Sequence, residues 1–210
     1  MENFRRLVAT GYDKIADAYL EQFGVSATRH EWLLRIIERL PGAGARVLDL
    51  GCGAGLPVAR ELVALGHSVI GVDGSAEQVA RACQNVPSAT FIQADMCEVQ
   101  FDDASFDAIG AFYSINHVPA AEQGALFGKL ARWLKPGGTL VASLGAGAAG
   151  DWTGEWLGAR MFFGQISDVE TLTHLRIAGL VVQLSEVQRQ DNEDAEFLWI
   201  IAVKAPNLCS

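Results

Sequence analysis

One stretch near position 50 constrains the fold more than any other part of the chain. It reads Val47-Leu48-Asp49-Leu50-Gly51-Cys52-Gly53-Ala54-Gly55. The short apolar run predicts a buried strand, and the alternating glycines predict a sharp turn at which the backbone can approach a ligand closely. A carboxylate, Asp49, stands near the end of that strand. The stretch therefore predicts a strand, a glycine-rich turn and a helix, a typical unit of α/β folds.

The spacing of the glycines disfavours two nucleotide-binding motifs. The dinucleotide fingerprint needs a third glycine three positions after its second, and counting from Gly53 reaches Leu56 instead. The P-loop needs a Gly-Lys-Ser/Thr ending, and none follows. A nicotinamide dehydrogenase and a P-loop enzyme are therefore disfavoured. A purely structural turn in some other α/β protein stays open.

Composition narrows the class of partner and the compartment. The 210 residues suffice for one α/β domain, and the net charge of −9 disfavours nucleic acid as a partner. We expect no membrane partner and a cytoplasmic location, because no apolar run is long enough to span a bilayer and the N-terminus lacks the apolar core of a signal peptide. We expect reduced thiols and no metal site, because no paired spacing relates the cysteines: Cys52, Cys83, Cys97 and Cys209.

The hydrophobic pattern predicts a single domain with two N-terminal helices followed by alternating strands and helices. We predict helices at 4–22, 28–40, 55–65, 75–85, 121–135 and about 167–178. We predict strands at 46–50, 68–72, 89–94, 106–112, 138–144, 180–188 and 196–204. This alternation predicts a doubly wound parallel sheet with helices on both faces. The short polar link before the last strand predicts a hairpin, so that the last strand runs antiparallel to the others.

This order predicts four functional segments within residues 1–210. Residues 1–42 form a helical cover, and residues 43–145 form a cofactor-binding core. Residues 146–166 form a substrate or lid insert, and residues 167–210 form a helix and the C-terminal hairpin.

Acidic residues follow three successive predicted strands. Asp49 and the glycine turn end the first, Asp73 ends the second, and Asp95 with Met96 ends the third. In an open α/β sheet, ligands bind beyond the carboxyl ends of the strands. The Asp73 carboxylate suits a ribose diol, and Asp95 can accept from an adenine amine. Each aspartate has a structural alternative as the cap of the next helix, and Asp73 also suits the ribose of a nicotinamide cofactor.

A carboxylate followed by Gly-x-Gly-x-Gly resembles motif I of the class I methyltransferases that use S-adenosylmethionine. The turn Lys135-Pro136-Gly137-Gly138-Thr139-Leu140 resembles the one before the fifth strand in that family. The resemblance covers residues 45–145 well. It implies a Rossmann-like, seven-stranded, mostly parallel sheet with an antiparallel last strand. It also implies an S-adenosylmethionine-dependent enzyme that methylates a small molecule.

The resemblance also assigns roles to individual residues. The segment from Gly11 to Tyr19 resembles the N-terminal Tyr-Asp-x-x-Ala-x-x-Tyr segment of small-molecule members, whose helix covers the cofactor. Tyr12 and Tyr19 can also be packing residues of an amphipathic helix. The cofactor contacts implied are Tyr19, Asp49, Gly51, Cys52, Gly53, Asp73, Gly74, Asp95, Met96 and Phe112. The substrate contacts expected are Tyr12, Tyr113, Trp152, Trp156 and Phe163.

The segment after the fourth strand bears on the chemistry. His117 is the residue there that can titrate near neutral pH, so it is a candidate general base, with a packed histidine as the alternative. Tyr113-Ser114-Ile115-Asn116 departs from the Asn/Asp-Pro-Pro-Tyr/Phe sequence of DNA amino-methylating enzymes. The acidic ligand set of a magnesium-dependent catechol enzyme is also missing. The acceptor atom stays open among nitrogen, oxygen and carbon.

The insert carries an unusual density of aromatic residues. Trp152 and Trp156 share a face if the insert is helical, and with Phe163 they can form an aromatic substrate wall. Core packing of a lid helix is the alternative. Acidic residues of the 191–196 link are expected on the ligand side of the sheet, where they steer a cationic substrate or merely form a solvated turn. Alternatives for the whole chain are a cofactor-binding scaffold with non-methyl chemistry, such as a cyclase of natural-product metabolism, and a non-catalytic partner protein.

Overall fold

The computed structural model describes residues 3–206. Cys209, expected to be a reduced thiol, therefore lies outside the described residues. The helices are α1 (Phe4–Phe23), α2 (Ala27–Ile37), α3 (Val58–Ala64), α4 (Ala76–Asn85), α5 (Ala120–Trp133) and α6 (Asp168–Ile177). The strands are β1 (Arg46–Leu50), β2 (Ser68–Asp73), β3 (Thr90–Gln93), β4 (Phe106–Ala111), β5 (Leu134–Gly145), β6 (Gly150–Trp156), β7 (Ala159–Gln165), β8 (Leu180–Arg189) and β9 (Glu196–Lys204).

Seven strands form one sheet in the order β3-β2-β1-β4-β5-β9-β8. The strands from β3 to β5 pair in parallel, and β9 pairs antiparallel with both β5 and β8. The direction of β8 therefore agrees with that of β5, and β9 alone runs against the described sheet. This confirms the predicted Rossmann-like class with an antiparallel last strand.

Each face of the sheet carries its own apolar core. On one face, Trp32 of α2 and Leu62 of α3 pack with Trp199 of β9. On the other face, Phe127 of α5 and Leu175 of α6 pack against the sheet. Helices thus cover both faces, because strands buried on both sides need apolar partners on both. The order of the strands reverses between β1 and β4, which creates the crevice where ligands bind in such folds.

The insert is a β-hairpin, so the helical alternative considered for it is wrong. β6 and β7 pair antiparallel, with Trp152 opposite Phe163 and Trp156 opposite Ala159. Glycines within β6 remove helix propensity, while the run Met161-Phe162-Phe163 of β7 suits a pleated, half-buried surface. Trp152 and Trp156 nevertheless share a face, because residues four apart also lie on one side of a strand.

The hairpin packs against α1, which lies across the carboxyl ends of the parallel strands. Phe4 of α1 stacks on Phe162 with ring centroids 4.3 Å apart. A Cβ at Gly11 would lie 2.2 Å from the sulfur of Met161, so glycine allows the helix and β7 to approach. α1 is also tied to α4, because Asp13 accepts a hydrogen bond from the Ser75 hydroxyl at 2.6 Å. α1 therefore covers the crevice, and the hairpin supports α1 from the outside.

Candidate functional site

A cavity of about 260 Å³ lies beneath α1 at the carboxyl ends of β1 to β4. Predicted site residues that line it are Tyr12, Tyr19, Gly51, Gly53, Asp73, Gly74, Asp95, Met96, Phe112, Tyr113 and His117. A smaller cavity of about 40 Å³ shares part of this wall and adds Asp49 and Cys52. The structure therefore brings together the three strand-end aspartates and most of the other predicted contacts. Trp152, Trp156 and Phe163 line neither cavity.

The glycine turn fixes the floor of the cavity. Gly51 and Gly53 have φ of +79° and +51°, a left-handed conformation that glycine adopts without a Cβ penalty. A Cβ on Gly51 would lie 2.2 Å from Cβ of Ser114, so this glycine makes room for a protein side chain as well as for the turn. Around Gly53, by contrast, the nearest atom to such a Cβ is Oε1 of Gln78 at 3.8 Å. The backbone at Gly53 is the part left open to a ligand.

Asp73 ties the turn to the end of β2. Its Oδ2 accepts the N–H of Gly53 at 2.9 Å, and its Oδ1 accepts the N–H of Ser75 at 2.9 Å. Each carboxylate oxygen has a second lone pair, so the side chain can still accept from the hydroxyls of a ribose. Removal from water raises the pKa of Asp73, while these backbone hydrogen bonds oppose that shift. Asp73 combines a structural role with a binding capacity.

Asp49 is a buried carboxylate with an unused acceptor. It is 4% exposed, and its Oδ2 has no hydrogen-bond partner among the described residues. Burial first, and then the charge of Asp73, raise the pKa of Asp49 to about 7. A buried acceptor without a donor is costly, and a ligand ammonium group would satisfy it. The position therefore fits the amino group of the methionine end of the cofactor that the resemblance implies.

The far end of the cavity holds Asp95 and Met96. Oδ1 of Asp95 accepts the N–H of Cys97 at 2.8 Å, and its Oδ2 lies 3.2 Å from Nε of Arg5. Arg5 also lies 3.4 Å from Glu122, so the first turn of α1 is anchored by ion pairs at this end. The carboxylate and the thioether of Met96 offer an acceptor and an apolar surface, which together fit a purine ring.

His117 is held by two hydrogen bonds. Nδ1 lies 2.9 Å from the carbonyl oxygen of Phe162, and Nε2 lies 2.9 Å from the hydroxyl of Tyr12. A carbonyl oxygen only accepts, so Nδ1 carries the proton and Nε2 accepts the proton of Tyr12. Burial lowers the pKa of His117 to about 4, so the ring is neutral at physiological pH. Burial likewise raises the pKa of Tyr12 well above its ordinary value.

Tyr113 occupies a strained position beside this pair. Its φ is +55°, an uncommon conformation for a bulky residue, and its N–H donates to the Ser143 hydroxyl at 2.6 Å. The neighbouring Ser114 hydroxyl donates to the carbonyl of Leu50 at 2.7 Å. These bonds tie the loop after β4 to β1 and β5. They hold the Tyr113 ring at the wall of the cavity.

The aromatic residues of the hairpin form a layer behind the cavity wall. Trp156 stacks on Phe23 at 5.7 Å, and the ring of Phe163 lies 4.6 Å from that of His117. Trp152 is 48% exposed and lies against Phe163. Trp156 packs behind Tyr12 and Tyr19, and Phe163 packs behind His117. Trp152 lies at the surface.

Several lining residues were not predicted from the sequence. Arg29 of α2 is 6% exposed and lines the smaller cavity, while Gln78 and Arg5 line the larger one. One signal for Arg29 was available: it shares helical spacing with the buried residues Trp32, Leu33 and Ile36. An arginine on the apolar face of a helix indicates a buried partner.

Residues 3–206 contain neither a candidate membrane-spanning helix nor a candidate metal site. Among them, no helix is long and apolar enough to cross a membrane. Within the same described range, no cluster of three or more His, Cys, Asp or Glu side chains is arranged to hold a metal ion.

Comparison with known proteins finds similarity to methyltransferases. Residues 47–138 match the family model described as a methyltransferase domain. The 27-O-demethylrifamycin SV methyltransferase of Amycolatopsis mediterranei is 35% identical over 155 residues, which cover 64% of this chain and 56% of that protein. The chain thus spans little more than half the length of this curated relative, and less of several others.

Solved structures agree on the fold. The cyclase SpnF superposes with a TM-score of 0.76 at 20% identity, over 97% of each chain. The 1,6-didemethyltoxoflavin-N1-methyltransferase of Burkholderia thailandensis, crystallised with 1,6-didemethyltoxoflavin and S-adenosylhomocysteine, gives a TM-score of 0.72 at 19% identity, over 93% of this chain and 84% of that one. At these identities the likeness establishes the fold alone.

Proposed function

Because the chain belongs to the class I S-adenosylmethionine-dependent methyltransferase family, we propose that it transfers a methyl group from S-adenosylmethionine to a small-molecule acceptor. One observation carries the proposal. The carboxylates that end β1, β2 and β3 meet the open backbone of Gly53 at one connected pair of cavities. That arrangement has an acceptor for the ammonium group, the ribose hydroxyls and the adenine amine of the cofactor, and the orphaned oxygen of Asp49 needs a donor.

Different residues of the site would hold different parts of the cofactor. Asp49 and the Gly53 backbone would hold the methionine end, Asp73 the ribose, and Asp95 with Met96 the adenine. When bound, S-adenosylmethionine supplies an activated methyl group whose sulfonium leaves as a neutral thioether. The protein then needs chiefly to align the acceptor atom, and orientation can contribute about 7–11 kcal/mol to lowering the barrier.

We assign Tyr12 and His117 to the binding of the small molecule that accepts the methyl group. Since Tyr12 donates its proton to Nε2 of His117, the phenolic oxygen presents its lone pairs to a ligand in the cavity that both residues line. A nucleophile that carries a proton can donate it to this oxygen in a hydrogen bond. The pKa of about 4 makes His117 a weak base, so we assign it the positioning of the Tyr12 hydroxyl.

The test has two stages. Calorimetric titration should show S-adenosylhomocysteine binding and no heat with NAD. Mass spectrometry should then detect a labelled methyl group on one of a set of candidate small metabolites incubated with methyl-labelled cofactor. Binding of NAD without S-adenosylhomocysteine would overturn the proposal.

A second candidate is a cofactor-binding cyclase. It is favoured by the superposition with SpnF over nearly the whole of both chains. A cyclase would convert its substrate to an isomer of equal mass and release no S-adenosylhomocysteine. The same mass-spectrometric experiment separates the two functions.

The remaining expectations stay predictions. A cytoplasmic location and the absence of a nucleic-acid partner are motivated by composition and by the net charge of −9. The division into cover, core, insert and C-terminal segments is likewise a functional proposal. The cover, which lines the larger cavity, would close over the methyl acceptor, and the insert packs on the cover.

A further inference from the structure

Gln123 is a buried side-chain amide near the start of α5 that lines neither cavity. Its Nε2 donates to the carbonyls of Val118 and Gly164, each at 2.9 Å, and lies 3.4 Å from the carbonyl oxygen of Ile115. Carbonyl oxygens only accept, so the NH2 end of the amide must face them. This single side chain therefore connects the loop after β4 to β7 of the hairpin.

The backbone of β7 lies directly on that loop. A Cβ at Gly164 would lie 2.3 Å from the carbonyl oxygen of Val118 and 3.1 Å from Cα of Pro119, so glycine is what allows this close approach. The carbonyls of Val118 and Gly164 converge on one nitrogen at the contact. Two convergent buried carbonyls need a donor between them, and Gln123 supplies it.

The same junction holds the imidazole of His117. This residue directly precedes Val118, and its Nδ1–H donates to the carbonyl of Phe162 in β7 at 2.9 Å. The ring is therefore carried by the loop and fixed by the hairpin, and its Nε2 accepts the proton of the Tyr12 hydroxyl at 2.9 Å. A shift of the loop relative to β7 would move the ring and, with it, that hydroxyl.

We propose that Gln123 is a positioning residue of the acceptor site: its amide sets the distance between the loop and β7 and thereby fixes His117 and the Tyr12 oxygen. This inference rests on the proposed function, because it takes that oxygen to orient the methyl acceptor. Gln123 acts only through other residues and contributes to neither cavity wall. Its loss should therefore slow methyl transfer without weakening cofactor binding.

The test compares Gln123→Met with Gln165→Met in the full chain, because methionine keeps the length of the side chain but has no donor. Gln165 is the matched control. Its Nε2 also donates to two backbone carbonyls, those of Ala146 and Ala148, which lie outside the loop after β4. NMR of protein carrying isotope-labelled histidine follows the Nδ1–H of His117, identified by its absence from the spectrum of His117→Gln.

For Gln123→Met we expect the Nδ1–H of His117 to exchange with solvent at least about tenfold faster than in wild type, because the hydrogen bonds at the junction are lost. With the acceptor identified by mass spectrometry, kcat should fall at least about tenfold while the Kd of S-adenosylhomocysteine stays within about twofold of wild type. Gln165→Met should leave the exchange rate and kcat close to their wild-type values.

Each outcome decides the inference. An unchanged exchange rate in Gln123→Met, an equal acceleration in Gln165→Met, or an unchanged kcat with faster exchange overturns it. If Gln123→Met does not fold, Gln123→Glu decides, because burial keeps its carboxyl protonated and leaves one O–H donor. Faster exchange than in wild type then supports the inference, and equal exchange overturns it. Absence of S-adenosylhomocysteine binding and of methyl transfer in the wild type would instead refute the proposed function, which the NMR comparison does not assume.

Discussion

The hydroxyl of Tyr12 lies 2.9 Å from Nε2 of His117, although the two residues are 105 positions apart in the sequence. This contact joins α1 to the loop after β4. The carbonyl of Phe162, in the hairpin, fixes the opposite ring nitrogen at 2.9 Å. The helical cover (1–42), the core (43–145) and the insert (146–166) therefore meet at the imidazole of His117. The position of the Tyr12 oxygen depends on all three.

We predict that Tyr12→Phe lowers kcat at least 100-fold, because the acceptor loses its oriented hydrogen-bond partner. The Kd of S-adenosylhomocysteine should change less than threefold. In the wild-type protein, kcat should show no step near pH 6.5, because the pKa of His117 is lowered to about 4. Steady-state kinetics and calorimetry measure these quantities. An unchanged kcat in Tyr12→Phe would remove this residue from the acceptor site.

Asp49→Asn should raise the free energy of unfolding while lowering the affinity for the cofactor. The pKa of Asp49 is about 7 in the folded protein, against 3.8 for an unperturbed carboxyl. The folded state then binds more protons between those values, so the Asp49 contribution to stability falls as the pH rises from 4 to 7. The variant should gain stability over wild type across that window, on the order of 4 kcal/mol at pH 8.

Urea unfolding at pH 4.5 and pH 8 measures this gain, and calorimetry should show a weaker Kd for S-adenosylhomocysteine. In the wild type, that affinity should also fall below pH 7, where Asp49 becomes protonated. A stability difference that is the same at both pH values would contradict the buried-charge explanation.

The fold was predictable because its signals are local. The apolar run of β1, the glycine turn and the alternation of strands and helices each follow from short-range periodicity. Asp73 and Asp95 were also predictable, since strand ends meet at one edge of a parallel sheet. The hairpin was not, because aromatic residues interrupted by glycines carry no clear period. The Tyr12–His117 contact and the burial of Arg29 depend on how α1 and α2 pack onto distant elements.

Asp73→Ala should lower both cofactor affinity and stability. The carboxylate accepts from the backbone of Gly53 and Ser75 in addition to its proposed ribose contact. We expect at least a tenfold weaker Kd for S-adenosylhomocysteine and a loss of about 1–3 kcal/mol of unfolding free energy. Thermal unfolding and calorimetry give both values. A lowered Tm with an unchanged Kd would leave Asp73 with the structural role alone.

The two tryptophans of the hairpin should respond differently to truncation. Trp156 packs on Phe23, and its Nε1 donates to Glu193 at 2.8 Å, so Trp156→Ala should cost about 3–5 kcal/mol. Trp152 is 48% exposed, and Trp152→Ala should cost less than about 1 kcal/mol. Urea unfolding tests both. If the Trp152 variant nonetheless raises the substrate KM with no change in the cofactor KM, the exposed ring contributes to the acceptor site.

The acidic link between β8 and β9 tests the idea of electrostatic steering. Asp191 accepts from the N–H of Thr28 at 3.2 Å and from its hydroxyl at 2.9 Å, Glu193 accepts from Trp156, and Asp194 pairs with Arg189. Carboxylates held in such short-range contacts attract a distant cationic substrate only weakly. Asp191 instead contacts the start of α2, Glu193 contacts the hairpin of β6 and β7, and Asp194 contacts β8.

We therefore expect the triple variant Asp191→Asn, Glu193→Gln, Asp194→Asn to lower the Tm, because the start of α2 loses a charged partner worth about 1 kcal/mol. Its kcat/KM should fall by the same factor at 20 mM and 500 mM salt, since the lost contacts are short-range. Glu196→Gln, for a carboxylate of the same link, is the matched control. A loss of kcat/KM confined to low salt would show instead that the link attracts a cationic acceptor, because screening removes only long-range attraction.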